Sequence, residues 1–193
     1  TGEPMHARSS AHGNGMWKST DAGKTWTKIG LEKSFYIPKV AVHPEDPDIV
    51  YVAAEGKLYD NAMDCERGFY RTADGGKTWQ RLWPLGDRGV GDFVVDPRDF
   101  DVVIAAAYKT YRRAWTYVDR QPGNHLYKTT DGGATWKKLV QGLPVSADVG
   151  RTGLAIFDKD PDIVYARIDE EVNLGLADRD GAANFQAGGT PGG

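Results

Sequence analysis

The densest group of chemistry-bearing side chains lies in the segment Tyr108–Asn124, YKTYRRAWTYVDRQPGN. There Tyr108, Tyr111, Arg112, Arg113, Trp115, Tyr117 and Arg120 interleave aromatic rings with guanidinium groups. Aromatic faces stack on sugar rings or grip a peptide, and arginine offers a planar fork to carboxylates. Glu3, Arg8, Arg67 and Arg151 complete the set of candidate ligand-binding residues, since several arginines converging on one pocket would hold an acidic sugar. The same residues admit a plainer role, with the rings packing a long loop and the arginines paired to Asp119 or Asp148.

Hydrolysis of a glycosidic bond needs two carboxyl groups about 5 to 9 Å apart. Glu3, Asp60, Asp64, Glu66, Asp92, Asp119 and Asp148 are available in loops, but nothing in their spacing pairs them, so no catalytic residue is assigned. His6, His12, His43 and His125 lack metal-ligand spacing, and the single Cys65 allows neither an intrachain disulfide nor a CxxC site. No metal or cofactor is expected. The GKT triplets lack the first glycine of a phosphate-binding loop, and no Ser-His-Asp arrangement stands out. A net charge of −3 gives nucleic-acid binding no support. No apolar run approaches the roughly 18 residues of a membrane span.

The elements that must position these groups repeat along the chain. STDAGKTW (Ser19–Trp26), TADGGKTW (Thr72–Trp79) and TTDGGATW (Thr129–Trp136) align without gaps, with Asp21, Asp74 and Asp131 spaced 53 and 57 apart. Each is preceded by a short β-prone run (GMWKS, GFYRT, HLYKT) and followed by another (TWTKIG, TWQRLW, TWKKLV), which predicts a hairpin. Between the boxes a second unit recurs as VAVHPEDPDIVYVAA, FVVDPRDFDVVIAAA and LAIFDKDPDIVYARI, each an apolar strand, a polar turn and a second apolar strand. Small residues ending that second strand, Ala53, Ala54, Ala105 and Ala106, suit a crowded position. Four strands in a repeat longer than about 40 residues are the period of a propeller blade.

The letters of the box have physical reasons. An Asp carboxylate in a tight turn accepts nearby backbone N–H groups, and the Thr hydroxyl adds a local bond. Gly23, Gly76 and Gly133 supply a positive φ, and Trp26, Trp79 and Trp136 fold back to bury apolar area between blades. The three Asp residues are therefore read as structural staples.

These boxes resemble the Asp-box (bacterial neuraminidase) repeats of sialidases, sortilin-type receptor domains and xyloglucan-cleaving glycosidases. VHPEDPDIVYVAA and DVGRTGLAIFDKDPDIVYA look most like bacterial sortilin-like, glycosyl-hydrolase-like repeat proteins, and the resemblance covers residues 1–169. The Arg-Ile-Pro signature of sialidases is absent, YIPK at Tyr36–Lys39 being only an echo, and the Asp-Val-Gly-Gly pattern of the xyloglucan enzymes is missing. The resemblance implies an all-β propeller of four-stranded antiparallel blades. It also implies that ligands bind on the face opposite the Asp-box turns, and it suggests an extracytoplasmic location.

With the strands of a blade labelled A to D outward from the centre, residues 1–169 hold a half-blade, two full blades and another half-blade, about three blades' worth of strands. Residues 170–193, rich in Gly and Ala, read as a flexible tail, and Thr1–Gly15 reads as a chain entered partway through a domain rather than as a signal peptide. Propellers close with four to eight blades. The ring would be completed by further blades of a parent protein, the plainer reading, or by a second copy that exchanges halves. The B–C loops are 1–14, 56–67 and 108–124, and the D–A loops are 30–38, 83–91 and 141–150. The leading functional expectation is a non-catalytic module binding a protein or glycan through these loops. The alternative is a sialidase- or xyloglucanase-like glycoside hydrolase domain whose carboxylates lie partly outside this chain.

Overall fold

The computed structural model describes residues 11–57, 65–113, 115–118, 120–144 and 149–170. Fourteen short strands follow one another in the described chain. β1 (Trp17–Lys18) and β2 (Thr27–Lys28) form a hairpin. β3 (Lys39–Val42), β4 (Val50–Ala54), β5 (Gly68–Thr72) and β6 (Gln80–Arg81) form an antiparallel sheet in that order. β7 (Gly89–Asp96) and β8 (Asp99–Tyr108) begin the next sheet. A separate hairpin follows, β9 (Tyr111–Arg113) with β10 (Thr116–Val118), before β11 (Leu126–Thr129) and β12 (Lys137–Lys138) complete that sheet as β7-β8-β11-β12. β13 (Val149–Ile156) and β14 (Val164–Glu170) pair alone. Among the described residues this is an all-β, propeller-type arrangement: two four-stranded blades lie between the two-stranded sheets β1–β2 and β13–β14.

The A–B turns close on their own side chains. His43 Nδ1 accepts the backbone N–H groups of Glu45 and Asp46 at 3.2 and 3.1 Å. Asp96 Oδ1 accepts that of Arg98 at 2.9 Å in the next blade.

The Asp boxes close the C–D turns identically. Asp74 Oδ1 accepts the Thr72 hydroxyl and the Thr78 N–H at 2.7 and 2.9 Å, and Oδ2 accepts the Thr78 hydroxyl at 2.6 Å. Asp21 and Asp131 repeat this pattern. Gly23, Gly76 and Gly133 have φ of 85°, 92° and 97°, and the residue before each, Ala22, Gly75 or Gly132, is left-handed too, at 57°, 72° and 66°. Two successive left-handed positions explain the glycine pair in the second and third boxes; Ala22 occupies the first without that freedom.

The core lies between blades. Phe69 of β5 meets Phe93 of β7 edge-on at 5.1 Å, and Tyr51 of β4 stacks on Phe100 at the start of β8 at 4.8 Å. Tyr51, Phe69 and Phe93 are fully buried, worth about 1.5–3 kcal/mol for each such side chain. Ala53, Ala54, Ala105 and Ala106, at most 1% exposed, let the sheets approach at this level. Trp136 Nε1 donates to Leu82 O at 2.7 Å and Trp79 Nε1 to Ile29 O at 2.6 Å, so each indole clasps the preceding blade. Trp26 departs from the expected burial: it is 58% exposed and donates to Gly23 O of its own turn, because no D strand precedes it among the described residues.

Candidate functional site

The A strands begin, and the B strands end, on the face opposite the Asp boxes. Glu55 follows β4 and is buried, its side chain 3% exposed. Arg151 reaches it from β13, Nη2 donating to Oε1 at 2.6 Å, and the guanidinium carbon lies 5.4 Å from the centre of the Tyr108 ring. Tyr108 and Tyr117 join hydroxyl to hydroxyl at 3.4 Å, which ties the β9–β10 hairpin to the end of β8. Burial first, and then the Tyr117 hydroxyl, push the Tyr108 phenol well above its ordinary range.

Asp92 is the second carboxylate of this face. Its Oδ1 sits 3.0 Å from Lys39 Nζ and accepts the Phe93 N–H at 2.8 Å, while Oδ2 accepts the Leu154 N–H at 2.8 Å. It therefore bridges the inner strands β3, β7 and β13. Both β7 and β13 carry a register irregularity here, between Val90 and Asp92 and between Val149 and Thr152. Such a bulge re-aims the side chains beside it. The bulges lie in the stretches Val90-Gly91-Asp92 and Val149-Gly150-Arg151, inside or at the edge of segments read as loops from sequence.

Other carboxylates nearby are also engaged. Asp87 pairs with Lys109 at 2.6 Å and Arg88 at 2.8 Å, and the Lys109 hydrogen bond holds its carboxyl below the usual range. Asp169 pairs with Arg120 at 3.3 Å, and Glu66 accepts the Lys33 N–H at 2.8 Å. Fully buried Asn124 fastens the base of the long insertion, bonding the Lys109 N–H and carbonyl at 2.8 and 3.2 Å.

Of the residues singled out from sequence, Arg151, Tyr108 and Tyr117 come together. Trp115, 73% exposed, lies at the hairpin turn, and Tyr117 is 43% exposed. Arg112 pairs with Tyr117 and Arg113 with Thr116 in the backbone register. The side chains of Tyr111, Arg112 and Arg113, and the whole of Glu3 and Arg8, lie outside the described residues. Arg67 is turned inward: it is 8% exposed, its Nη2 donates to Lys57 O at 2.6 Å, and its carbonyl accepts Arg81 Nε at 2.7 Å. Glu55 and Lys39 did not stand out in the sequence. The available signal for Glu55 was a lone carboxylate directly after the apolar run Val50–Ala54.

Fold and site define an Asp-box β-propeller segment of the glycoside-hydrolase-like kind, with an ion-paired inner face and an aromatic hairpin beside it. Residues 14–173 match the Sortilin-Vps10 family model, described as sortilin, neurotensin receptor 3, and the chain belongs to this family. It is 32% identical to a xyloglucanase of Paenibacillus sp. over 123 residues, covering 59% of this chain and 10% of that protein. It is 31% identical to the xyloglucanase Xgh74A of Acetivibrio thermocellus, covering 66% of this chain and 23% of that one. The crystal structure of an ancestral GH74 enzyme shares the fold at a TM-score of 0.59 and 17% identity, over 79% of this chain and 19% of the enzyme. The chain thus spans a quarter or less of the length of these relatives.

Proposed function

We propose that this propeller segment is a non-catalytic binding module that holds a glycan against the face carrying the B–C and D–A loops, gripped by the β9–β10 hairpin. The carrying observation is how the carboxylates of that face are used. Among the described residues, Glu55, Asp87, Asp92 and Asp169 are engaged by Arg151, Lys109, Lys39 and Arg120, whereas a glycosidase needs one carboxyl free to protonate the leaving oxygen. Trp115 and Tyr117 meanwhile present ring surface suited to stacking on sugars. A glycan is favoured over a protein partner because the relatives cited above are xyloglucanases by name. An extracytoplasmic location goes with this reading.

The test is calorimetric titration with xyloglucan oligosaccharides. Binding that weakens at least tenfold in Trp115→Ala/Tyr117→Ala, without release of reducing ends, supports the module. Unchanged binding in that variant removes the hairpin from the account.

A second reading, a glycoside hydrolase whose catalytic carboxylates lie partly beyond this chain, is favoured by the small fraction of each xyloglucanase that the chain spans. Release of reducing ends that disappears in Asp92→Asn would support it.

A further inference from the structure

The insertion that carries the β9–β10 hairpin returns to its blade through Gln121-Pro122-Gly123-Asn124. Asn124 N donates to Gln121 O at 3.0 Å, and Gly123 has φ 95°. Proline in the second place and a left-handed glycine in the third are the pattern of a type II turn, which fixes the direction of the central carbonyl, that of Pro122.

Arg88 lies in the segment that joins β6 of one blade to β7 of the next, and it meets this turn. Its Nη2 donates to Pro122 O, and its Nη1 donates to Asp87 Oδ1 at 2.8 Å. The guanidinium also lies against Gly123, where a Cβ would sit 2.9 Å from both Nε and Nη2. Asp87 in turn accepts Lys109 Nζ at 2.6 Å, and Asn124 Oδ1 accepts the Lys109 N–H at 2.8 Å. Arg88 therefore touches the returning limb of the insertion directly and the outgoing limb through Asp87 and Lys109. Its side chain is 17% exposed, so solvent screens these contacts less than it would a surface pair.

The other side of the insertion is held more loosely. Gln121 N donates to Val149 O of β13, and Arg120 Nη2 reaches Asp169 Oδ1 of β14, both at 3.3 Å. The neck of the hairpin is closed by Thr110 Oγ1, which donates to Val118 O at 3.2 Å, and by the Tyr108–Tyr117 hydroxyl contact. The insertion is wedged between two elements, and the shorter contacts are on the Arg88 side.

We propose that Arg88 is a positioning residue of the glycan-binding face: it touches no sugar, and it sets the orientation of the β9–β10 hairpin through the Pro122–Gly123 turn. Rings such as those of Trp115 and Tyr117 bind best when already in place, because ordering them on binding costs affinity. Arginine suits the task, since its planar fork serves Asp87 and the Pro122 carbonyl together, which a lysine ammonium does not. This rests on the binding reading above and adds the element that controls it. The segment between β6 and β7 governs a grip that it does not itself make.

The test pairs calorimetric titration of the whole chain with xyloglucan oligosaccharides and amide hydrogen exchange. Arg88→Met should weaken binding about tenfold, within the range that residues without ligand contact exert through a coupled network. The amides of Tyr111–Arg113 and Thr116–Val118 should lose protection, while those of β7 and β8 keep theirs. Arg88→Lys keeps a cation for Asp87 but lacks the fork, and should behave like Arg88→Met. Unchanged affinity in Arg88→Met, or full binding by Arg88→Lys, overturns the proposal. Weaker binding with the hairpin protected as before would also overturn it, by making Arg88 a direct ligand contact. Protection lost evenly across the sheet would do so too, as a general loss of stability. No binding by the unaltered chain removes the glycan reading and this proposal with it. Binding that is lost in Trp115→Ala/Tyr117→Ala but kept in Arg88→Met leaves that reading standing and removes Arg88 from it.

Discussion

Arg151 and Glu55 meet at 2.6 Å although 96 positions of sequence separate them. Asp-box indoles join each blade to the one before it, but this pair reaches from the last half-blade, past the Gly91 carbonyl at 3.5 Å, to the first complete sheet. It is a brace across the inner ring, and its carboxylate end is the more buried, at 3% against 27% for the arginine.

Removing the cation takes from that buried carboxylate the guanidinium it bonds at 2.6 Å. Arg151→Met should therefore cost about 3 kcal/mol, the lower end for a broken buried pair because the arginine is partly exposed. Glu55→Leu with Arg151→Met together should recover most of the loss. Urea midpoints at fixed m-value decide it, and a midpoint unchanged in Arg151→Met would show that the brace carries no stability.

Acid should loosen the Asp boxes in a defined window. Hydrogen bonds from the Thr25 hydroxyl and N–H, and from Ser19, lower the Asp21 carboxyl from 3.8 to about 2. The Thr129 and Thr135 hydroxyls do the same for Asp131, also to about 2. A carboxyl held below its unfolded value adds stability that is fully present above that value. It is lost as pH falls through the folded one, here between 3.8 and about 2. Thermal midpoints should fall across that interval, and replacing Asp21 and Asp131 by Asn should flatten the fall. The same slope in the variant would point to other groups.

Ala22 is the single non-glycine among the three equivalent box positions, at φ 57°. A left-handed L-residue costs about 1–2 kcal/mol, partly offset by the chain entropy that glycine brings to the unfolded state. Ala22→Gly should stabilise by about 0.5–1 kcal/mol, read from the thermal midpoint. Destabilisation would mean that the Ala22 methyl makes a contact worth more than the strain.

A Cβ on Gly89 would lie 2.6 Å from both Ala54 O and Glu55 Cα. Those are backbone atoms of the neighbouring sheet, which cannot swing aside as a side chain does. Gly89→Ala should cost about 2 kcal/mol by forcing the two sheets apart, and it should weaken the Glu55–Arg151 contact as well. A double-mutant cycle with Arg151→Met would show that coupling as non-additivity.

Local chemistry was legible in the sequence, and distant pairing was not. The box letters specify a turn closed by its own side chains within a few residues, so Asp74, Thr72 and Thr78 could be read in place. The apolar runs beside each polar turn likewise marked β4, β7 and β8. The inner face depends on where strands from different repeats end relative to one another. A one-residue bulge at Gly91 decides which way Asp92 points, and nothing in Val-Gly-Asp announces it. The insertion at Tyr108–Asn124 read as a loop, because its hairpin is three residues a side and its turn lacks glycine. Arg67 shows another limit: an arginine at a loop end was a candidate for ligand binding, but its side chain is buried and packs on Gly56.

The indole clasps also govern how the molecule comes apart. Each joins one repeat to its immediate predecessor, so opening can spread serially, neighbour by neighbour, as in a one-dimensional chain of coupled units. The β1–β2 hairpin has two residues a strand, while β13 and β14 run to eight and seven. The far end is further tethered by the Arg151 brace. Amide exchange should therefore be polarised, with β1–β2 amides exchanging first and those of β7 and β8, flanked on both sides, persisting longest.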